Sequence, residues 1–266
     1  MTREHPTSPA QDEGVRLLVV GAGGMARHHV RTALAMSASR PDRQLADVVL
    51  VEPNAHAADL MSTVITDAGR LAPVVETDLD QALARHGAAL DVAMIVSPHA
   101  LHHDQMVACL EAGLDVLVEK PMVTTVAEAE SVLAAHDKAK SLLVVGFNGS
   151  LSPQIRKAVE LLRAKTLGEL VAIHGSVWQN WKRYVEGTWR TVPAMSGGGF
   201  VFDTGAHLLN TTCDLAGEDV VAVDVEEGGA RDERGDGVPG VALEVAPLEQ
   251  LGGGVGLPKG VEAGHG

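Results

Sequence analysis

The sequence predicts an α/β fold in which a doubly wound parallel sheet carries helices on both faces. Three observations point there: short β-branched apolar runs recur along the chain, helix-like segments with capping signals separate them, and a glycine-rich turn directly follows the first run. VRLLVV (15–20) reads as a strand buried on both faces, ended by Gly21. Similar runs follow at ADVVLVE (46–52), DVAMIVS (91–97), LDVLVE (114–119) and LLVVGF (142–147). Between them, Asp78 stands before LDQALARHG, Gly113 follows HHDQMVACLEA, and Thr124 or Thr125 precedes VAEAESVLAAHDKAK, the start and stop signals of helices. Near Gly149 the pattern changes to an amphipathic helix, SPQIRKAVELLRAK (152–165), and a longer alternating strand, ELVAIHGSVWQ (169–179). The organisation this predicts is a mobile lead-in over 1–14, a first domain over 15–148, a partial second domain over 149–227, and a tail over 228–266. That tail holds 12 glycines in 39 residues and no aromatic, and is expected to be irregular.

The 266 residues carry 21 Lys+Arg against 35 Asp+Glu, a formal charge of -14 that argues against nucleic-acid or anionic-membrane binding. No apolar run approaches the about 20 residues that cross a bilayer. The opening MTREHPTSPAQDEG is polar where a signal peptide would be apolar, which predicts a cytoplasmic protein. Cys109 and Cys213 form no CxxC or zinc pattern, as suits a reducing compartment.

Gly21-Ala22-Gly23-Gly24-Met25-Ala26 reads G-x-G-x-x-A between a buried strand and a helix, the context of a Rossmann dinucleotide site. The first glycine permits the turn, the second lets a pyrophosphate approach the backbone, and the small Ala26 lets helix and strand pack closely. The phosphates would then sit on helix N-terminal N–H groups. Glu52 closes the second strand, where a carboxylate accepts from ribose hydroxyls and repels a 2′-phosphate, favouring NAD over NADP. It lies 31 residues beyond Gly21, more than the usual about 20, and a solvated strand-end carboxylate is the competing reading.

Three further stretches, SPHALHHDQMVACLEAGLDVLVEKP (97–121), GFN (146–148) and GGGFVFDTGAHLLN (197–210), join GAGGMARHH in giving the chain a resemblance to the Gfo/Idh/MocA oxidoreductases. The resemblance implies an N-terminal Rossmann domain that binds NAD(P), followed by a second α/β domain on an open mixed sheet that holds the substrate. It adds Ser97, Pro98, His102, Glu119 and Lys120 to the cofactor-binding set of Gly21, Gly23, Gly24, Met25, Ala26 and Glu52, and a cis bond before Pro121. Lys120, at the strand edge where open α/β sheets bind ligands, would hydrogen-bond the substrate oxygen and stabilise a developing alkoxide. Asp203 and His207, four apart on a helix that Asp203 is expected to start, share a face above three glycines. His207 matches the family's catalytic histidine, the base for the hydroxyl proton, and Asp203 would bind substrate or orient that base.

Asn210 stands where the family usually has an acid, and His99 where it usually has asparagine. His99, His102 and His103 have helical spacing but no carboxylate set to complete a metal site, so no metal is expected; His28 and His29 read as packing residues. Trp178, Trp181, Tyr184 and Trp189, with Lys182, Arg183 and Arg190, suit a sugar or polyol, or equally a core or an oligomer contact. Family members usually add more strands and a closing helix after DLAG, whereas strand character here fades after VVAVDVEE (220–227). A truncated or frame-shifted second domain, with an exposed sheet edge and either poor solubility or partner dependence, is therefore expected. The expected activity is hydride transfer between NAD and a secondary alcohol of a sugar, inositol or polyol, in a possible homo-oligomer. The alternatives are a non-catalytic NAD-binding protein and an NAD-dependent glycosidase of the same family.

Overall fold

The computed structural model describes residues 14–40, 44–217, 226–231 and 237–245, the last two as backbone strands. The lead-in up to residue 13, the segment 220–225 of the last strand-like run, and the tail from 246 onward lie outside the described residues. The chain divides into two compact units, residues 1–146 with 185–203 and residues 147–184 with 204–266.

The first unit alternates strand and helix: β1 (Val15–Val20), α1 (Gly24–Ser39), β2 (Leu45–Val51), α2 (Ala55–Asp67), β3 (Val74–Glu76), α3 (Leu79–His86), β4 (Val92–Ile95), α4 (His102–Glu111), β5 (Asp115–Val118), α5 (Val126–Ala139) and β6 (Leu143–Val145). The strands form one sheet in the order β3-β2-β1-β4-β5-β6, and each described pairing is parallel. β1 therefore has β2 on one side and β4 on the other, so the chain reverses its direction of travel across the sheet there. The crevice beyond the strand ends at such a reversal is the usual ligand position.

Alternation along the strands divides the core into two apolar layers. Leu18, Val20, Ala93, Ile95, Val116 and Val118 face Met106, Cys109 and Leu110 of α4 and Val132 of α5. Leu17, Val19, Leu50 and Met94 face Ala26, Val30 and Leu34 of α1 and Ala58, Met61 and Ile65 of α2. Burial on both faces is why these strands read as continuous apolar runs. The helix ends follow local chemistry: Asp78 and Asn54 accept the third backbone N–H of α3 and α2, and Thr125 with Glu128 forms a reciprocal capping box on α5. Gly113, at φ +81°, ends the turn after α4.

The second unit contains α6 (Pro153–Arg163) and β7 (Ile173–Trp178), and α7 (Trp181–Val185) runs to its boundary. Residues 185–203 group with the first unit, where a 3-10 turn at Trp189–Thr191 and α8 (Pro193–Ser196) place Ser196 O 2.9 Å from His99 Nδ1. A π-helical segment, Val201–Gly205, precedes α9 (Ala206–Ala216). Asp203 thus lies inside a wide helical turn rather than starting an α-helix, a correction to the sequence reading.

β8 (Glu226–Arg231) and β9 (Gly237–Val245) lie where an irregular tail was expected, and pair antiparallel in the order β7-β9-β8. Ile173 stands opposite Val245, and Glu226 opposite Ala242. Pro239, which has no N–H to give a ladder, pairs with Gly229 of β8 one residue before β7 joins at Gly240. Leu208 of α9 approaches Gly175 of β7 so closely that a Cβ there would lie 2.8 Å from its methyl carbon.

Candidate active site

The glycine turn is built by β1 and α1. Gly21 has φ +96°, and a Cβ on it would lie 2.8 Å from Val96 O, so only glycine makes this turn beside β4. A Cβ at Gly23 or Gly24 would meet nothing within 4 Å, which leaves an open cradle at the start of α1. Gly23 caps that helix without a side-chain bond, so its first N–H groups are those of an anion-binding N-terminus. Ala26 is fully buried beneath the turn, while Met25 is exposed. Glu52 lies against the turn: Oε2 accepts from Ala22 N–H at 2.8 Å and Oε1 from Asn54 N–H at 2.9 Å. Open glycines, a free helix start and a carboxylate at the second strand's end fit a dinucleotide.

The ends of β4 and β5 carry the other predicted residues. Ser97 donates its hydroxyl to Gln105 Oε1 at 2.5 Å, and Pro98 leads into a 3-10 turn over His99–Leu101. His102 is fully buried, with Nδ1 2.9 Å from Pro121 O and Nε2 3.0 Å from Ser97 O. Burial pushes its pKa down, against those carbonyls and the Glu119 charge. Both ring nitrogens face chain carbonyls, of which the neutral ring donates to one, so His102 braces the loops at Ser97 and Pro121 from inside. The Lys120-Pro121 bond is cis.

Lys120 Nζ donates to Asp203 Oδ1 and to Asp203 O, both at 2.7 Å, with the two side chains 11% and 13% exposed. Asp203 Oδ2 faces Arg190 Nε at 3.3 Å, so one carboxylate lies between two cations. The Arg190 guanidinium stacks over Trp189 at 4.4 Å, and the Trp189 ring meets His99 edge-on at 4.6 Å. Burial holds the His99 imidazole down to about 4, opposed by its bond to Ser196 O. The glycines before Asp203 are required. At Gly197 (φ +81°) a Cβ would lie 2.8 Å from Thr124 Cγ2, and at Gly198 one would lie 2.2 Å from the Phe202 ring.

Glu119 turns inward. Its Oε1 lies 2.6 Å from His29 Nε2, and its Oε2 accepts from Lys120 N–H at 3.1 Å. Burial raises its pKa, but the His29 bond and charge, with the Lys120 N–H, hold the carboxyl below the usual range. His29 is therefore more than a packing residue; only a long-range contact, invisible in local sequence, reveals it. His103 contacts Asp104 Oδ1 at 2.7 Å and Ser131 Oγ at 3.0 Å, so the three histidines of the 99–103 segment face different partners.

In the second unit, His207 on α9 meets the Phe147 ring edge-on at 6.0 Å. Asn210 accepts from Ser150 Oγ at 2.7 Å, the use this chain makes of an amide where the family usually has an acid. The aromatic group divides: Trp189 lies in the first unit, while Trp178, Trp181 and the exposed Tyr184 lie in the second.

A parallel sheet with an open glycine cradle at its reversal point, and a lysine paired with an aspartate at the end of β5 two strands away, defines a dinucleotide-binding α/β protein. Residues 15–147 match the family model described as an oxidoreductase family with an NAD-binding Rossmann fold, and residues 155–245 match the GFO/IDH/MocA C-terminal domain. The chain belongs to the Gfo/Idh/MocA oxidoreductase family. It is 32% identical over 137 residues to D-xylose 1-dehydrogenase (NADP+) of Haloarcula marismortui, a match covering 51% of this chain and 38% of that protein. To inositol 2-dehydrogenase of Corynebacterium glutamicum it is 25% identical over 228 residues, covering 80% and 58%. The crystal structure of an oxidoreductase domain protein from Kribbella flavida is similar with a TM-score of 0.69 at 26% identity, covering 82% of this chain and 58% of that one. The chain thus spans less than two thirds of each of these relatives. Among the described residues, no helix is long and apolar enough to cross a membrane.

Proposed function

We propose that this protein is an NAD-dependent dehydrogenase that oxidises a secondary alcohol of a sugar, inositol or related polyol. The observation that carries the reading is the Lys120–Asp203 pair at the end of β5, on the sheet edge that also carries the glycine cradle. Gly21 to Ala26 and Glu52 would hold the dinucleotide, which when bound supplies the acceptor for a hydride leaving the alcohol carbon. The Glu52 carboxylate would accept from the adenosine ribose and repel a 2′-phosphate, which supports NAD even though two of the relatives are named for NADP.

Asp203 takes two of the three N–H donors of Lys120, through Oδ1 and its main-chain oxygen. The ammonium is thereby aimed, and its remaining donor is suited to the substrate hydroxyl oxygen. A cation held there lowers the cost of removing the hydroxyl proton, because negative charge on the oxygen meets a preorganised positive group. Arg190 keeps the second carboxylate oxygen of Asp203 engaged. His207 is the proposed acceptor of the hydroxyl proton, a role suited to an imidazole near neutrality. The names of the xylose and inositol relatives support the substrate class. The acidic, cysteine-poor composition supports a cytoplasmic protein acting on small molecules.

The test is NAD reduction by the whole protein across a panel of pentoses, hexoses and inositols. Lys120→Met is expected to lower kcat by about 10²–10³-fold, the usual effect of removing one preorganised stabiliser of developing charge, with NADH affinity retained. Unchanged turnover in that variant contradicts the assignment, and NADH binding without turnover of any alcohol supports a non-catalytic protein.

A further inference from the structure

The contact between His29 and Glu119 is not used by the chemistry above. His29 is the sixth residue of α1, the helix whose first residues form the open cradle, and Glu119 directly precedes Lys120. At 2.6 Å, His29 Nε2 to Glu119 Oε1 is a short contact, and the other carboxylate oxygen takes the Lys120 N–H at 3.1 Å. The void lined by both residues, with Gly146 and parts of β4 and β5, measures about 10 Å³. That is at the lower limit for a single water, so the link is direct. Gly146 stands against the carboxylate, where a Cβ would lie 3.6 Å from its Cδ and Oε1. The side chains are 29% and 16% exposed, so neither is a solvated surface group.

We propose that His29 is a positioning residue, which acts through Glu119 to fix the main chain of Lys120 relative to the helix that forms the cofactor cradle. A carboxylate held at one oxygen only can rotate; held at both, it ties α1 to the β5 end. The histidine thus couples the site of the dinucleotide phosphates to the placement of the ammonium. The consequence for turnover rests on the dehydrogenase reading, but the link itself can be read without it.

The experiment is amide hydrogen exchange of the Lys120 N–H by NMR in the cofactor-free whole protein, for wild type, His29→Leu, His29→Gln, Glu119→Gln and the Leu/Gln double variant. His29→Leu is expected to speed that exchange about tenfold, the worth of one hydrogen bond to a charged group. The Val116 amide, which donates to Leu142 O in the sheet, reports global unfolding and should not change. His29→Gln, which places an amide N–H near the position of Nε2, should restore protection to within about threefold. The double variant should exchange no faster than Glu119→Gln alone, since both changes remove one interaction. Unchanged exchange in His29→Leu overturns the proposal, as does a His29→Gln protein exchanging as fast as His29→Leu, which would mean packing alone matters. In turnover, His29→Leu should lower kcat while the KM for NAD holds. A wild type without turnover would defeat the dehydrogenase reading and leave the exchange data to decide the link, whereas full turnover with unaltered exchange would defeat the link alone.

Discussion

The two units bury their sheets differently. In the first, β1, β2, β4 and β5 pack between two apolar layers, and Leu18, Val19, Leu50 and Ile95 have no exposed surface. In the second, β7 alternates half-buried and exposed residues along all six positions, with none fully buried. Burial on two faces anchors the strands that lead into the loops of Gly21, Glu52 and Lys120, the residues proposed for the site. A sheet covered on one face has less apolar area behind each residue and tolerates more change.

That contrast can be broken by matched substitutions. Ile95→Ala on β4 is expected to cost about 2–5 kcal/mol in chemical denaturation, the cost of emptying a sealed core site. Val177→Ala on the half-buried β7 should cost less than about 1 kcal/mol, in proportion to the smaller area covered. Equal losses would contradict the distinction.

A pH-dependent effect follows from His99, whose imidazole burial holds at about 4 in the folded chain. Its ordinary value is about 6.5. Between those values the unfolded chain takes up a proton that the folded chain refuses. The contribution of the neutral ring is therefore complete above about pH 6.5 and is lost as pH falls toward about 4. At about 1.4 kcal/mol per unit, the full loss is about 3 kcal/mol. His99→Asn should remove this component, so that stability measured at pH 7 and at pH 4.5 differs less in the variant than in the wild type. Parallel pH curves would show that the ring is not held neutral by its surroundings.

The fold of the first unit was legible because continuous apolar runs and local caps carry it: VRLLVV became β1, and Asp78, Gly113 and Thr125 mark the helix ends. β3 escaped notice because three half-exposed residues, Val74–Glu76, make no pattern of their own. β8 and β9 escaped for another reason. EEGGAR and GVPGVALEV are glycine-rich, poor strand formers, and the pairing of β9 with β7 is a contact across more than 50 residues that no local window registers. At the site, the glycine turn, Glu52, Lys120 and Asp203 were visible as spaced motifs. The partners that define their environment, Arg190 for Asp203 and His29 for Glu119, were not, since each is brought in by tertiary folding. His102 was visible as a motif position too, but its contacts with Pro121 O and Ser97 O were not.

The first unit is proposed to bind a nicotinamide dinucleotide, with Glu52 setting the preference for NAD. That role is tested most directly by titrating the folded whole protein with NADH and, separately, NADPH, following nicotinamide fluorescence, with Glu52→Ser alongside. Saturable binding that favours NADH by about tenfold or more, equivalent to about 1.4 kcal/mol, and a preference that narrows in Glu52→Ser, is the predicted result. Tighter binding of NADPH by the wild type, or no binding of either cofactor to a folded protein, would contradict it.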